Sequence, residues 1–137
     1  MNQASFILVV EDDPVLKNLL GHTFAGKYQT LYAADGNEAI ALFDQHAPVL
    51  VLLDLMLPTM DGFAVLEQIR ARTDDRKDVP VLVVSNLGQE EDKKRAMELG
   101  ATGYLVKAEV DVDEIIEKIE TMLGEPAAPE TPQPPAA

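Results

Sequence analysis

The chain has 137 residues, 47% of them hydrophobic, no cysteine and a formal charge of −13 with a pI near 4.3. That suffices for one domain with a sizeable core; it leaves out disulfides, thiolate chemistry and cysteine zinc sites, and points to a reducing cytoplasm. It also speaks against direct nucleic-acid binding, which rests on Lys and Arg neutralising phosphates, and against a membrane span, because no apolar run approaches the roughly 18 residues required.

Ser5 to Val10 reads as a short apolar strand, followed at once by Glu11-Asp12-Asp13-Pro14. Asp13 suits the N-cap of a helix carrying Val15, Leu16, Leu19, Leu20 and Phe24, with Pro14 at its first position. Glu11 and Asp12 have no such structural role. Two carboxylates at a strand end would repel phosphate, but they suit a hard divalent cation. His22 and His46 read as surface or satisfied histidines, not ligands. Tyr28 to Ala33 is a second, weaker strand for a sheet edge. Asp35-Gly36-Asn37-Glu38 then opens a helix with a capping-box pattern and a stripe of Ala39, Leu42 and Phe43. Pro48 halts the chain.

Val49 to Leu53 is an unbroken aliphatic run, the mark of a strand buried on both faces in a parallel sheet. Asp54 ends it. Taken alone, an Asp after a strand is a cap or turn residue. A carboxylate in so apolar a run needs the strand's C-terminal mouth and a cation or proton there. Pro58 and Gly62 mark a turn before a helix with Phe63, Leu66 and Ile69 or Arg70 at helical spacing. The charged run Asp74 to Asp78 is expected to be a solvated loop. Val79 to Val84 is the fourth strand, ending in Ser85-Asn86. Gln89 to Leu99 forms a polar helix whose acids come first and whose bases follow, and Gly100 ends it. Thr102 to Val106 is the fifth strand, with Lys107 directly after it. Ile115, Ile116, Ile119, Met122 and Leu123 stripe the last helix.

Residues 125–137 hold five of the nine prolines and no large apolar side chain, so a disordered Pro/Ala-rich tail is expected beyond a domain at 1–124. Glu125 and Glu130 are the tail's only charges, leaving −11 on residues 1–124. Five strands alternating with five helices predict an α/β fold: a (βα)5 doubly wound parallel sheet, flavodoxin-like, with right-handed crossovers. In the order 2-1-3-4-5, strands 1 and 3 are neighbours at the switch point, where such sheets place their sites. Glu11, Asp12, Asp54, Ser85 and Lys107 all fall there. Three negative charges and one positive leave −2, which one Mg²⁺ would neutralise.

With these residues in place, the chain resembles a response regulator receiver domain of the two-component systems, over residues 5–123, in the manner of a stand-alone chemotaxis regulator. The resemblance rests on the acidic pair after strand 1, on Asp54 in Asp-Leu-Met-Leu-Pro-Thr-Met-Asp-Gly, and on the strand-end Ser85 and Lys107. It implies that Asp54 is the phosphoacceptor. Asp12 would be a direct Mg²⁺ ligand with Glu11 beside it, and Met56 would contribute its backbone carbonyl. Ser85 would be the switch hydroxyl, Lys107 the phosphate-contacting ammonium and Tyr104 the switch aromatic. The implied function is a cytoplasmic signalling switch, phosphorylated by a histidine kinase or phosphotransfer protein. A downstream protein would read it on the face of the fourth helix, fifth strand and fifth helix. Self-phosphotransfer and slow dephosphorylation are the only catalysis expected, with no nucleic-acid or membrane contact and a monomeric or weakly dimeric state. Two other readings are an Mg²⁺-dependent aspartate-nucleophile phosphatase and a phosphorylation-independent interaction module. The phosphatase usually needs a second Asp where this chain has Met56.

Three residues or groups depart from the family's pattern. Asn86 follows the switch hydroxyl where a small residue is usual. Ala108 follows Lys107 where a cis proline is usual, and since a cis bond before another residue costs about 2.5–4 kcal/mol, a trans or strained loop is expected. The last helix, with Glu117, Lys118 and Glu120, lacks the basic residues through which DNA-binding members pair. Met56 and Leu87 are apolar where a polar side chain would orient an attacking water, so slow loss of phosphate is expected.

Overall fold

The computed structural model describes residues 5–25, 28–57 and 60–124. The tail at 125–137 and the turn residue Pro58 lie outside the described residues. The elements alternate throughout: β1 (Phe6–Val10), α1 (Pro14–Phe24), β2 (Gln29–Ala33), α2 (Gly36–His46), β3 (Leu50–Leu53), α3 (Gly62–Arg70), β4 (Val81–Ser85), α4 (Glu90–Glu98), β5 (Gly103–Val106) and α5 (Val112–Met122). They build a five-stranded sheet in the order β2-β1-β3-β4-β5, with every neighbouring pair parallel. This is the expected doubly wound fold.

The period-two alternation of the strands divides the core. Leu8 and Val10 of β1, Val51 and Leu53 of β3, and Val81 and Val83 of β4 face one layer, against Phe43 of α2, Phe63, Leu66 and Ile69 of α3, and Ala96 of α4. Ile7, Val9, Leu50, Leu52, Leu82 and Val84 face the other, against Leu16, Leu20 and Phe24 of α1 and Ile115 and Ile119 of α5. Each such large side chain contributes about 1.5–3 kcal/mol of burial, which holds four of the five helices firmly. The exception is α4, whose only buried residue is Ala96.

Three local features differ from expectation. Asp74 to Asp78 is not a plain loop: Asp75–Asp78 winds into a 3-10 turn, capped by Asp74 accepting from the Arg76 amide at 3.2 Å. Arg76 also donates to the carbonyls of Phe43 and Asp44, satisfying the end of α2 from across the chain. At the start of α2 the Asp35 side chain caps the Glu38 amide as expected, but the Glu38 carboxylate accepts from the Ala34 amide, one residue early. A reciprocal box instead opens α5, between Asp111 and Glu114. None of the described helices is long and apolar enough to cross a membrane.

Candidate functional site

Ladder bonds that run one residue past the strands fix the two acids at the heart of the site. The Glu11 amide donates to the Ala33 carbonyl at 3.0 Å, and the Asp54 amide to the Val10 carbonyl at 3.0 Å. Because Val10 pairs with Leu53, Glu11 and Asp54 leave the sheet side by side. Asp13 turns away, accepting from the Val15 amide at 3.0 Å as the N-cap of α1. Asp13 thereby has the capping place that the sequence indicates.

Lys107 follows β5 and begins a 3-10 turn over Lys107–Glu109. Its ammonium donates to Glu11 Oε2 at 2.8 Å and to Asp54 Oδ2 at 3.1 Å. Glu11 Oε2 also accepts from the Asp13 amide at 3.1 Å, and Asp54 Oδ1 from the Met56 amide at 3.0 Å. Glu11 is 1% and Asp54 5% exposed, so the ammonium bridges two buried carboxylates. Burial pushes the Glu11 carboxyl above its ordinary value, against the opposing pull of Lys107. Burial pulls the Lys107 ammonium down, but its bonds and proximity to Glu11 and Asp54 outweigh that and leave it above the usual lysine range.

Asp12, exposed at the rim, completes the cluster: carboxylate oxygens of Glu11, Asp12 and Asp54 lie within 4.8 Å of one another. An all-oxygen donor set with three negative charges and one ammonium fits a hard divalent cation and offers nothing to a soft one.

Ser85 ends β4 fully buried, and its Oγ accepts from the Leu87 amide at 3.3 Å. Tyr104, half-buried on the edge strand β5, donates from its hydroxyl to the Leu87 carbonyl at 2.5 Å. The two predicted switch residues thus converge on Leu87. Burial, then Asp92 and Asp54, raise the Tyr104 hydroxyl above the usual tyrosine value. Asn86 is exposed beside Ser85, and Met56 is 56% exposed beside Asp54. The described backbone holds no cis peptide, so the Lys107–Ala108 bond is trans as expected.

Two residues make contacts here that the sequence reading passed over. Gly62, a turn residue and the last residue of the Asp54 motif in the sequence, packs directly on the loop that carries Asp54: a Cβ on it would stand 2.5 Å from Leu55 Cα and 2.6 Å from the Asp54 carbonyl oxygen. Arg95, taken as one of a run of bases, lays its guanidinium over the Phe63 ring with 4.0 Å between carbon and centroid. Neither contact has a local sequence signal.

Residues 7–120 match the model of the response regulator receiver domain family. Among curated proteins, the DNA-binding dual master transcriptional regulator RpaA of Synechocystis is 40% identical over 119 residues, covering 85% of this chain and 48% of RpaA. The chain thus spans about half the length of that relative. Among solved structures, the Mn²⁺-bound response regulator Rcp1 superposes with a TM-score of 0.75 at 30% identity, over 85% of this chain and 92% of Rcp1. The phosphorylated cyanobacterial phytochrome response regulator RcpA gives 0.78 at 29%, over 93% and 100%. With the acid cluster, the bridging lysine and the sheet order all of one kind, the chain belongs to the response regulator receiver domain family.

Proposed function

We propose that this chain is a phosphorylation-activated switch in which Asp54 accepts a phosphoryl group from the phosphohistidine of a histidine kinase or phosphotransfer protein. The observation that carries the reading is the Lys107 ammonium held between buried Glu11 and Asp54 at the C-terminal edge of the sheet. An Asp54 carboxylate oxygen attacks phosphorus in line, the P–N bond breaks, and its electron pair leaves with the imidazole. No side chain stands in the role of a base, and the attacking carboxylate is paired with the Lys107 ammonium. The reaction is chiefly one of positioning and charge stabilisation. The Met56 amide and Lys107 hold the two Asp54 oxygens in place, and Lys107 is set to follow the charge onto the phosphoryl oxygens. Mg²⁺ held by Asp12, Asp54, the Met56 carbonyl and Glu11 beside them would neutralise charge on the transferring group. RcpA, known in phosphorylated form, and Rcp1, known with Mn²⁺, are consistent with this chemistry.

Ser85 then donates its hydroxyl proton, with the Asn86 amide, to a phosphoryl oxygen. That draws the loop after β4 inward and disturbs the Tyr104–Leu87 bond, so the signal passes to the face of α4, β5 and α5, where a downstream protein reads it. A groove of about 330 Å³ between α1 and the start of α5, whose lining includes Val15, Leu19, Val110, Val112 and the charged Asp13, Lys107 and Asp111, offers a donor one approach to Lys107. The charge of −13 speaks against direct nucleic-acid contact by this chain itself, although RpaA is DNA-binding by name, and a cysteine-free sequence suits a reducing cytoplasm.

Incubation with a small phosphodonor and Mg²⁺, read by intact mass, is expected to add one phosphoryl group, lost in Asp54→Ala and with chelator. An adduct that survives in Asp54→Ala, or none from either a small donor or histidine kinases, overturns the assignment. Sustained turnover of a phosphomonoester would make it a phosphatase instead. Decay of the adduct gives a second check. Met56→Asn supplies a side chain able to orient water, and one such bond of about 1.4 kcal/mol corresponds to roughly tenfold faster phosphate loss. A wild type that decays as fast as the variant contradicts this.

A further inference from the structure

Of the five helices, α4 is the least anchored. It buries only Ala96, whereas α5 buries Ile115 and Ile119 and α1 buries Leu16, Leu20 and Phe24. Its N-cap, Gln89, makes no side-chain bond, while Asp13, Asp35, Asp61 and Asp111 cap the other four helices. An alanine methyl holds little, so any further contact weighs heavily in where α4 sits. Beside its contacts with β5 and the packing of Leu99 at its end, α4 has the Arg95 guanidinium over the Phe63 ring, 4.0 Å from carbon to centroid, within cation–π range. Phe63 is itself only 6% exposed and rigidly set in α3.

The position of Phe63 gives the contact its meaning. It directly follows Gly62, whose amide donates to the Leu55 carbonyl at 3.0 Å and whose α-carbon leaves no room against the Asp54 and Leu55 backbone. A displacement of the Asp54 loop is therefore transmitted to Phe63 through close-packed backbone. We propose that Arg95 is a positioning residue: stacked on Phe63, it latches α4 in the unphosphorylated arrangement and couples α4 to the Asp54 loop. This route reaches α4 from α3, whereas the one through Ser85, Leu87 and Tyr104 reaches it from the loop after β4. The inference rests on the phosphoacceptor reading of Asp54 for its link to phosphorylation, but not for the latch.

An exposed cation–π contact is worth about 0.5–1 kcal/mol, or roughly 2–5-fold in a local opening equilibrium. Hydrogen exchange of the α4 amides in the unliganded protein, referenced to α5 amides to remove any global change, is expected to quicken by that factor in Arg95→Gln and in Phe63→Leu. The double variant should go no further than the singles, and Arg95→Lys, which keeps charge but not the planar stack, should fall between. Because a ligand that must move α4 no longer works against the latch, beryllium trifluoride with Mg²⁺ should bind Arg95→Gln about 2–5-fold more tightly than wild type by calorimetry. Unchanged or additive exchange rates overturn the latch. Faster exchange with unchanged beryllium trifluoride affinity overturns the positioning role and leaves a merely structural contact. A wild type that fails to bind the mimic overturns the phosphoacceptor reading and the positioning role with it, while the exchange rates still decide the latch.

Discussion

Lys107→Met is expected to destabilise the metal-free protein by about 3–5 kcal/mol at pH 7, the usual cost of removing one partner from a buried charge pair. The cost arises because Glu11 and Asp54, 1% and 5% exposed, are left as adjacent carboxylates with no cation between them. The pH dependence has a definite sign. Burial already raises the Glu11 carboxyl, and with Lys107 gone the two influences that lower it most disappear, so it rises further. A carboxyl raised in the folded state contributes stability that is complete below its unfolded value and is lost as pH rises through the folded one. The deficit against wild type should thus be large at pH 7 and shrink toward pH 5. Denaturant unfolding in chelator measures both. Mg²⁺ should return more stability to the variant than to wild type, since the cluster's charge goes from −2 to −3. In the proposed phosphotransfer, loss of the ammonium removes a donor of the kind worth roughly 10²–10³-fold in rate. A variant as stable as wild type at pH 7 would mean that the bridge seen here carries no weight.

Gly62→Ala is expected to cost about 1–3 kcal/mol, the range for overpacking. The added methyl would meet Leu55 Cα at 2.5 Å and the Asp54 carbonyl oxygen at 2.6 Å. Both are main-chain atoms, so no rotamer change relieves the contact. The helix propensity gained by replacing glycine, about 1 kcal/mol at most, does not offset it. The loop must move, and Asp54 with it, away from the Lys107 ammonium at 3.1 Å and the Met56 amide at 3.0 Å. A shift of that order lowers phosphoryl uptake by roughly 10²-fold in the proposed reaction, where positioning does most of the work. Gly88→Ala is the matched control. A Cβ there meets nothing nearer than Val106 Cγ1 at 3.5 Å, and its unfolding midpoint should stay within about 0.5 kcal/mol of wild type. Equal midpoints for both variants would remove the steric argument.

The sequence conveyed the element order and the acids and lysine that lie together at the strand ends. Strands β1, β3 and β4 are legible because burial on both faces demands continuous aliphatic runs, and the caps Asp13 and Asp35 because an N-cap bonds within its own first turn. The run Asp74 to Asp78 reads as a mostly solvated loop and is mostly exposed, but its winding into a 3-10 turn is not legible, because Arg76 reaches the carbonyls at the end of α2, more than 30 residues earlier. The polar helix α4 was legible from its charge order, but nothing in its residues reveals that it is so lightly anchored.

What the sequence determined by itself is therefore the alternation of elements and the presence of acids, hydroxyl and ammonium at strand ends, since these follow from periodicity and short-range bonding. The tertiary structure decided which of them touch. Register sets Val10 beside Leu53 and Ser85 beside Val106, and so brings Lys107 onto Glu11, 96 positions away, and Asp54, 53 positions away. It likewise made Leu87 the meeting point of Ser85 and Tyr104, left Gly62 without room for a methyl, and set Arg95 on Phe63. The contacts of Lys107, Tyr104 and Arg95 join residues 17 to 96 positions apart, so strand order and the packing of the whole sheet decide them. Those of Ser85 and Gly62 join near neighbours that only the folded loops bring together.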